Sequence, residues 1–285
     1  MSITKEQIVE VEAKACDIRE TIIEMLTEAK SGHTAGPLGM ADVFSAFYFH
    51  ILKHNANDPD WEERDRLILS NGHIVPVRYA AMAHAGYFPL KEVMTLRKFG
   101  TRLQGHPEPD RLPGLETNSG PLGSGLSQAS GIAYGLQMDG KENYTYCFLS
   151  DGELQAGNTW EAAMFAGVNK LNKLICIIDR NNIQINGMTQ DVMPLEPLAD
   201  KFKSFGFHVI EIDGHSIEEI VAAVDEGKAQ TSMPTMIIAK TIPGKGIPEI
   251  ENDYTWHGKP PSPEEAERFL KIVRSCGGRV TEEYS

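Results

Sequence analysis

The second half of the chain alternates apolar strands with helices, and this alternation limits the fold more than any other feature of the sequence. Helices are predicted at 126–138, 158–169, 197–205 and 216–227, and strands at 144–149, 174–178, 208–212 and 235–239. Apolar strands that alternate with helices form parallel sheets covered by helices on both faces. We therefore predict an α/β fold of three layers, with a mostly parallel sheet in the middle.

Two polar residues follow neighbouring strands of this pattern. Asp151 lies in a glycine-containing turn after the strand at 144–149, and Asn181 follows the strand at 174–178. Parallel strands end at one edge of the sheet, where open α/β sheets bind ligands. A carboxylate and an amide oxygen suit a hard divalent cation, especially one that carries a diphosphate. The sequence therefore predicts an oxygen-rich site at this edge.

The first half of the chain is predicted to be mostly helical, followed by one long loop. Helices are predicted at 3–30, 41–52, 74–85 and 90–99, and a short strand at 66–70. The segment 100–125 is rich in glycine and proline, and a loop of this length in a compact domain is usually functional or disordered. Its His-Pro and Gly-Pro turns favour a functional loop. From about 242 a loop leads to a last helix at 263–275, and no linker divides residues 1–285 into two domains.

The composition is that of an acidic globular protein. The net charge of −13 argues against a nucleic-acid binder, because such proteins carry a basic face. Hydrophobic residues make up 41% of the 285 residues, which is ample for a substantial core. The N-terminus lacks a signal-peptide pattern and no apolar run reaches membrane-spanning length, which predicts a cytoplasmic protein without membrane contact. The cysteines lack a CxxC pair and are interpreted as reduced thiols: Cys16, Cys147, Cys176 and Cys276.

The glycine-rich segments do not match the common nucleotide-binding or hydrolase motifs. The segment 123–128 (GSGLSQ) lacks the third glycine or alanine of a dinucleotide fingerprint and follows a loop rather than a strand. The sequence contains neither a GxxxxGK[ST] phosphate loop nor a GxSxG nucleophile elbow.

Four histidines lie beside glycine or proline in predicted loops: His33, His73, His106 and His257. Any one of them is more simply explained as a surface or structurally satisfied residue. Together they indicate a site, because catalytic residues concentrate on loops carried by a rigid scaffold. Neutral imidazoles can hydrogen-bond sugar hydroxyls and move protons near neutral pH. A zinc site is a poorer interpretation, since the four lack any short ligand spacing.

Eight motifs, in order, resemble the N-terminal, diphosphate-binding part of transketolases. They are SGHTAG, SNGH, QGHPEP, TNSGPLGSGLSQASG, SDGELQAG, DRNNIQING, AKTIPGKG and WHGKPP. They extend from Ser31 to beyond His257, which is nearly the whole chain. The resemblance implies the thiamine diphosphate-binding fold and the activity of a transferase of the pentose phosphate pathway.

The resemblance also implies a cofactor, a metal and the residues that hold them. The cofactor would be thiamine diphosphate with Mg²⁺ or Ca²⁺. The metal ligands would be Asp151, Asn181 and the backbone carbonyl of Ile183. The cofactor-binding residues would be His73, Gly120, Pro121, Leu122, Gly152, Glu153, Asn181, Lys240 and His257. The catalytic residues, which would orient the donor sugar and assist proton transfers, would be His33, His106 and His257. The cofactor carries the carbanion chemistry, and the protein supplies orientation and electrostatics.

One catalytic group of full-length transketolases has no counterpart in this sequence. In the family a further domain supplies the glutamate that hydrogen-bonds the aminopyrimidine ring. The acidic residues after His257 are typical of a solvated helix face and tail instead: Glu264, Glu265, Glu267, Glu282 and Glu283. We therefore expect a split enzyme, in which this chain is inactive alone and forms an α₂β₂ heterotetramer with a separate C-terminal transketolase subunit.

Such an enzyme would move a two-carbon ketol unit from a ketose phosphate to an aldose phosphate. One alternative is a related ketol transfer with a sulfonated, branched or unphosphorylated sugar, because the phosphate-binding residues of the family lie largely on the missing part. Another is a non-catalytic subunit kept for assembly or regulation. Deoxyxylulose-phosphate synthase fits less well, since the matched segments follow transketolase.

Three positions depart from the family pattern. Ser150 replaces the first glycine of GDG, which is a mild change if the backbone there is extended, and residues 34–36 (TAG) replace the common Pro-Gly. Ala156 replaces a glutamate, while Glu161 is present; in the family these acids link the two active sites, so communication between sites is in question. We also note Arg78 in an apolar helix, and interpret it as a surface residue, with a contact to an anionic group as the alternative.

Overall fold

The computed structural model describes residues 3–275; Cys276, Glu282 and Glu283 lie outside them. The helices are α1 Lys5–Ala29, α2 Ala35–Gly39, α3 Ala41–Ala46, α4 Val75–His84, α5 Gly125–Met138, α6 Gly157–Val168, α7 Thr189–Val192, α8 Leu198–Ser204, α9 Ile217–Ala229 and α10 Pro263–Arg274. The strands are β1 Arg66–Leu69, β2 Thr145–Ser150, β3 Leu174–Arg180, β4 Ile183–Gln184, β5 Gly187–Met188, β6 His208–Asp213 and β7 Thr235–Lys240. Across residues 3–275, every helix is too short or too polar to span a membrane.

Five of the strands form one parallel sheet in the order β1-β2-β3-β7-β6, and β4 and β5 form a separate antiparallel pair. Helices cover both faces of the large sheet, so the predicted α/β architecture is confirmed. Every residue of β2 and β3 is buried, which explains their near-continuous apolar sequence.

Successive side chains of the central strands enter two different cores. Phe148 of β2 joins the core beneath α1, α3, α4, α9 and α10. Cys147, the residue before it, joins the core beneath α5, α6 and α8 together with Cys176. This alternation follows from the two-residue period of a strand. Both thiols are fully buried, as the sequence predicts.

Two predicted helices differ from the structure. The helix predicted at 41–52 continues beyond α3 as a π-helical turn at Phe47–Ile51, and the rings of Phe44 and Phe47 both lie 4.9 Å from that of Phe148. Tertiary packing of these rings accompanies the wider turn. The helix predicted at 90–99 is a 3₁₀-helix that ends at Thr95, because Arg97 adopts a left-handed backbone with φ 60° and thereby breaks the helical path.

Arg78 is buried, so its interpretation as a surface residue is wrong. It lies in α4 with 2% of its surface exposed. Its Nε donates to Tyr48 Oη at 3.2 Å and its Nη2 donates to the Gly114 carbonyl at 3.1 Å. The long loop covers this side chain, and loop coverage cannot be read from the helical pattern. Neither hydrogen-bond acceptor is anionic.

Replacing Arg78 with alanine is expected to lower the free energy of unfolding by about 2 kcal/mol, because it leaves the buried Tyr48 hydroxyl and the partly buried Gly114 carbonyl without this donor and opens a cavity. Urea unfolding measures this cost. Arg111→Ala is the control, since Arg111 is half-exposed and paired with Glu108, three residues earlier in the chain, and such surface pairs contribute about 0–1 kcal/mol. Equal costs for the two substitutions would contradict the role assigned to Arg78.

Candidate active site

The carboxyl ends of β2 and β3 lie side by side. Ser150 at the end of β2 is in register with Asp179 of β3, so Asp151 and Asn181 both follow at the same edge of the sheet. This edge holds the carboxyl ends of all five parallel strands. Ser150 itself belongs to β2, so the backbone at this departure from the family pattern is extended.

Asp151 is completely buried and has one carboxylate oxygen without a donor. Its Oδ2 accepts hydrogen bonds from Arg180 Nη1 and from the backbone N–H of Asn182, both at 2.7 Å. Its Oδ1 has no hydrogen-bond partner within residues 3–275. Burial raises the pKa of Asp151, and the Arg180 guanidinium opposes this rise. A buried carboxylate oxygen without a protein donor fits a cation ligand.

The side chain of Asn181 is held by the strand that precedes it. Its Nδ2 donates to Asp179 Oδ2 at 2.8 Å, and its Oδ1 accepts the backbone N–H of Ile183 at 3.0 Å. Burial raises the pKa of Asp179 to about 7, although Thr241 Oγ1 donates a hydrogen bond to it. Asn181 is therefore fixed with its amide oxygen beside Ile183, which fits the predicted metal ligand set.

A cation at this edge would need oxygen ligands of mixed type. Among residues 3–275, no group of three or more histidine, cysteine, aspartate and glutamate side chains is arranged to hold a metal ion. Asp151 would contribute a carboxylate oxygen, Asn181 an amide oxygen and Ile183 a backbone carbonyl. Such a set suits Mg²⁺ or Ca²⁺ better than zinc, which takes nitrogen and sulfur ligands.

Three of the four predicted histidines form one cluster. The ring centroid of His33 lies 4.8 Å from that of His73 and 5.5 Å from that of His257, and the last two are 5.2 Å apart. The Nδ1 atoms of His33 and His257 are buried and have no hydrogen-bond partner within the described part of the chain. The hydrogen-bonding capacity of these two atoms is therefore unused by residues 3–275.

The histidine cluster is uncharged near neutral pH. Burial lowers the pKa of His33 to about 4, and the neighbouring His257 adds to this effect. Burial also lowers the pKa of His73 well below its ordinary value, and it lowers the pKa of His257. Each neutral imidazole can donate one hydrogen bond and accept another. The cluster can therefore hold hydroxyl groups and exchange protons with them.

The loops that carry the cluster are joined to one another. Thr34 Oγ1 donates to the backbone carbonyl of Lys259 at 2.6 Å, which connects the loop of His33 to the loop of His257. Thr34 is fully buried. The threonine that departs from the family pattern therefore fixes two histidine loops against each other.

His106 lies beside the cluster. Its ring is 3.2 Å from the position that a Cβ on Gly72 would take, and 4.0 Å from the corresponding position on Gly120. It therefore stands between the loop of His73 and the predicted Gly-Pro-Leu turn. Burial lowers the pKa of His106, and Arg97 adds to this effect.

Sequence reasoning missed Arg97, which bridges two of the histidine loops. Its Nη1 donates to Ser31 Oγ at 2.9 Å, and its Nη2 contacts the Gly105 carbonyl at 3.5 Å. Ser31 and Gly105 lie within two residues of His33 and His106. In the sequence, the signal for this role is that Arg97 lies shortly before the motif QGHPEP, but this spacing does not specify the contacts with Ser31 and Gly105.

A cavity of about 260 Å³ opens beside these groups. Six predicted site residues line it: His73, Leu122, Gly152, Asn181, Ile183 and His257. Two metal-ligand candidates, Asn181 and Ile183, and two histidines of the cluster, His73 and His257, therefore line one space.

Two predicted cofactor residues lie elsewhere. The Lys240 ammonium is 3.1 Å from Glu211 Oε2 and lines a separate cavity of about 320 Å³. Glu153 is buried behind the site, where its carboxylate accepts three hydrogen bonds from the protein. A direct contact of either side chain with the cofactor stays a prediction.

The chain matches one known protein family over nearly its whole length. The family model described as transketolase, thiamine diphosphate binding domain, matches residues 11–273. The transketolase of Campylobacter jejuni, a solved structure, superposes with a TM-score of 0.87 at 35% identity. The superposition covers 98% of this chain and 43% of that one, so this chain spans less than half of that transketolase.

Two relatives match over nearly their full length. The 6-deoxy-6-sulfo-D-fructose transketolase subunit SqwG of Clostridium sp. (strain MSTE9) is 43% identical over 252 residues, which cover 88% of this chain and 92% of the relative. One of the apulose-4-phosphate transketolase subunits of Phocaeicola vulgatus is 35% identical over 96% of both chains.

Proposed function

Because the chain belongs to the transketolase family and contains its thiamine diphosphate-binding domain, we propose that it is the N-terminal subunit of a two-chain transketolase. The assembled enzyme would transfer a two-carbon ketol unit from a ketose phosphate to an aldose phosphate. One observation carries the catalytic part of this proposal. The Oδ1 of Asp151 is buried and has no partner within residues 3–275, and His73 and His257 line one cavity with Asn181, the residue at the end of the neighbouring strand.

The residues at that edge of the sheet would have separate roles in binding the metal, the diphosphate and the sugar. Asp151, Asn181 and the Ile183 carbonyl would hold Mg²⁺ or Ca²⁺, and the backbone at Gly152 would lie against the diphosphate. When bound, thiamine diphosphate supplies the carbanion chemistry. The neutral imidazoles of His33 and His257 would hydrogen-bond the hydroxyls of the donor sugar and exchange protons with them.

Two observations support a partner chain: the lengths of related subunits and the exposed apolar side chains on this chain. Two relatives named as subunits match this chain over 92% and 96% of their length. Five large apolar side chains on α5 and α6 are exposed: Tyr134, Met138, Met164, Phe165 and Val168. The rings of Tyr134 and Phe165 lie 5.5 Å apart, and exposed apolar patches mark interaction sites. An α₂β₂ assembly would cover it.

A different donor sugar is the second candidate. The relative that is 43% identical is named for 6-deoxy-6-sulfo-D-fructose, which supports a sulfonated ketose as the alternative donor. Both candidates use the same cofactor and the same two-carbon transfer.

Assays of the isolated and the assembled protein test the proposal. The tagged chain is purified from its native cells together with bound partners, and separately as a recombinant single chain. Each sample receives thiamine diphosphate, Mg²⁺ and ribose 5-phosphate, with either xylulose 5-phosphate or 6-deoxy-6-sulfofructose as donor. We expect turnover from the assembly alone, and the faster donor identifies the sugar. Robust turnover by the single chain would contradict the split, and no turnover by the assembly with either donor would contradict the proposed reaction.

A further inference from the structure

The turn Gly120-Pro121-Leu122 has no helix or strand of its own to hold it. It lies in the long segment between the 3₁₀-helix that ends at Thr95 and α5. Gly120 and Gly123 both adopt positive φ angles, 156° and 85°. Yet Leu122 forms part of the wall of the site cavity. Something outside the turn must therefore fix its position.

One buried carboxylate makes that connection. Oε2 of Glu153 accepts the backbone N–H of Gly123 at 2.8 Å and the Ser70 hydroxyl at 2.5 Å, while Oε1 accepts the backbone N–H of Ser150 at 2.8 Å. The Ser70 hydroxyl oxygen accepts in turn the backbone N–H of Gly125 at 3.0 Å. Ser70 follows β1 and Ser150 ends β2. Glu153 therefore joins the turn to the ends of two core strands.

The burial of Glu153 and the donors around its carboxylate suit a residue that anchors the turn. The side chain is 1% exposed and does not line the site cavity. A buried carboxylate is costly unless donors satisfy it, and one of the three donors here, the backbone N–H of Gly123, directly follows the turn.

We propose that Glu153 is a positioning residue for thiamine diphosphate: it holds Gly123, and with it Leu122, at the rim of the cavity without touching the cofactor. This inference rests on the proposed function, because it assigns the turn to cofactor binding. It replaces the direct contact that the family resemblance implies for Glu153.

The isosteric substitution Glu153→Gln tests the anchor. An amide nitrogen cannot accept a hydrogen bond, so either the turn or the end of β2 loses its acceptor, and either loss breaks the connection that holds the turn to the strand. In the isolated chain, we expect faster hydrogen exchange at the Gly123 and Gly125 amides. In the assembled enzyme, we expect about tenfold weaker binding of thiamine diphosphate at saturating Mg²⁺, with kcat at saturating cofactor within about twofold of the wild-type value.

Two further variants make the test decisive. Glu116→Gln alters another largely buried carboxylate, paired with Arg64 away from the site, and is expected to leave both the exchange of the turn and the cofactor affinity unchanged. Ser70→Ala removes the hydroxyl between Glu153 and Gly125, and is expected to act in the same direction as Glu153→Gln if that variant fails to fold.

The outcomes separate the inference from the proposed function. Unchanged exchange of the turn in Glu153→Gln or, if that variant does not fold, in Ser70→Ala overturns the anchor. Faster exchange with unchanged cofactor affinity overturns its role in positioning the cofactor. A wild-type assembly that does not bind thiamine diphosphate overturns the proposed function instead, and the inference with it.

Discussion

Replacing Asp151 with alanine is expected to weaken the binding of thiamine diphosphate and Mg²⁺ to the assembled enzyme roughly 100-fold or more, since even outer-shell changes at metal sites cost about 10–100-fold. The reason is the Oδ1 atom, which is buried and has no donor within residues 3–275. Without that oxygen, the amide of Asn181 and the Ile183 carbonyl would face the cation with no negative charge. Calorimetric titration with thiamine diphosphate and Mg²⁺ measures the loss.

The fold is expected to survive this substitution. Arg180 donates to Asp151, but its other nitrogen Nη2 lies 3.1 Å from Glu196 Oε1. The guanidinium therefore keeps one carboxylate partner, which avoids the large cost of an unpaired buried charge. A cooperative urea transition in the variant would confirm that the lost binding is local.

A carboxylate at the opposite edge of the sheet is the matched control. Asp65, which immediately precedes β1, is also buried, and its oxygens accept the backbone N–H groups of Lys53 and of Tyr144, which immediately precedes β2. Asp65→Ala is expected to lower stability and leave cofactor affinity unchanged. Near-normal affinity in Asp151→Ala would refute the metal assignment.

The position of Asp151 and Asn181 is predictable because it depends only on periodicity. Alternating helices and apolar strands require a parallel sheet, and residues that follow neighbouring strands must then share an edge. The observed register of Ser150 with Asp179 fulfils this requirement. The histidine loops are recognisable from their composition, and the structure brings three of the four rings into contact distance.

The contacts that orient these groups are not predictable in the same way. The bonds from Arg180 to Asp151 and from Asn181 to Asp179 depend on the side-chain conformations at two strand ends. The burial of Arg78 is not predictable, because the loop that covers it has no periodic sequence pattern from which its position could be inferred. A motif gives proximity to a ligand but not the direction of a side chain, so the motif alone cannot separate an anchoring role of Glu153 from a direct contact with the cofactor.

The second large effect is expected in the pH dependence of stability, and it originates in His33. Burial lowers the pKa of this imidazole to about 4 in the folded chain, whereas the unfolded chain titrates near 6.5. Between these values the unfolded state binds more protons, so stability rises with pH. His33 therefore contributes stability that is present above about pH 6.5 and is lost as pH falls towards 4. At about 1.4 kcal/mol per pKa unit, the contribution is about 3 kcal/mol.

Two buried acids act in the opposite direction over part of this range. Burial raises the pKa values of Glu153 and Asp179 to about 7, so they contribute stability below their unfolded values of about 4, which is lost as pH rises through 7. The wild-type profile alone would therefore mix these effects with those of His73, His106 and His257, whose pKa values burial also lowers. Only a difference between two variants isolates the histidine.

Urea unfolding of the wild-type chain and of His33→Gln between pH 4 and 7.5 supplies that difference. Glutamine keeps a polar side chain of similar size but does not titrate. Relative to the variant, the wild-type chain should gain about 3 kcal/mol between pH 4 and 6.5, with little change above. Leu122→Ala, a non-titrating change at the rim of the same cavity, should shift stability equally at every pH. A pH-independent difference between the wild-type chain and His33→Gln would show that burial does not hold the imidazole neutral. It would also contradict the uncharged histidine cluster, on which the proposed contacts with the sugar depend.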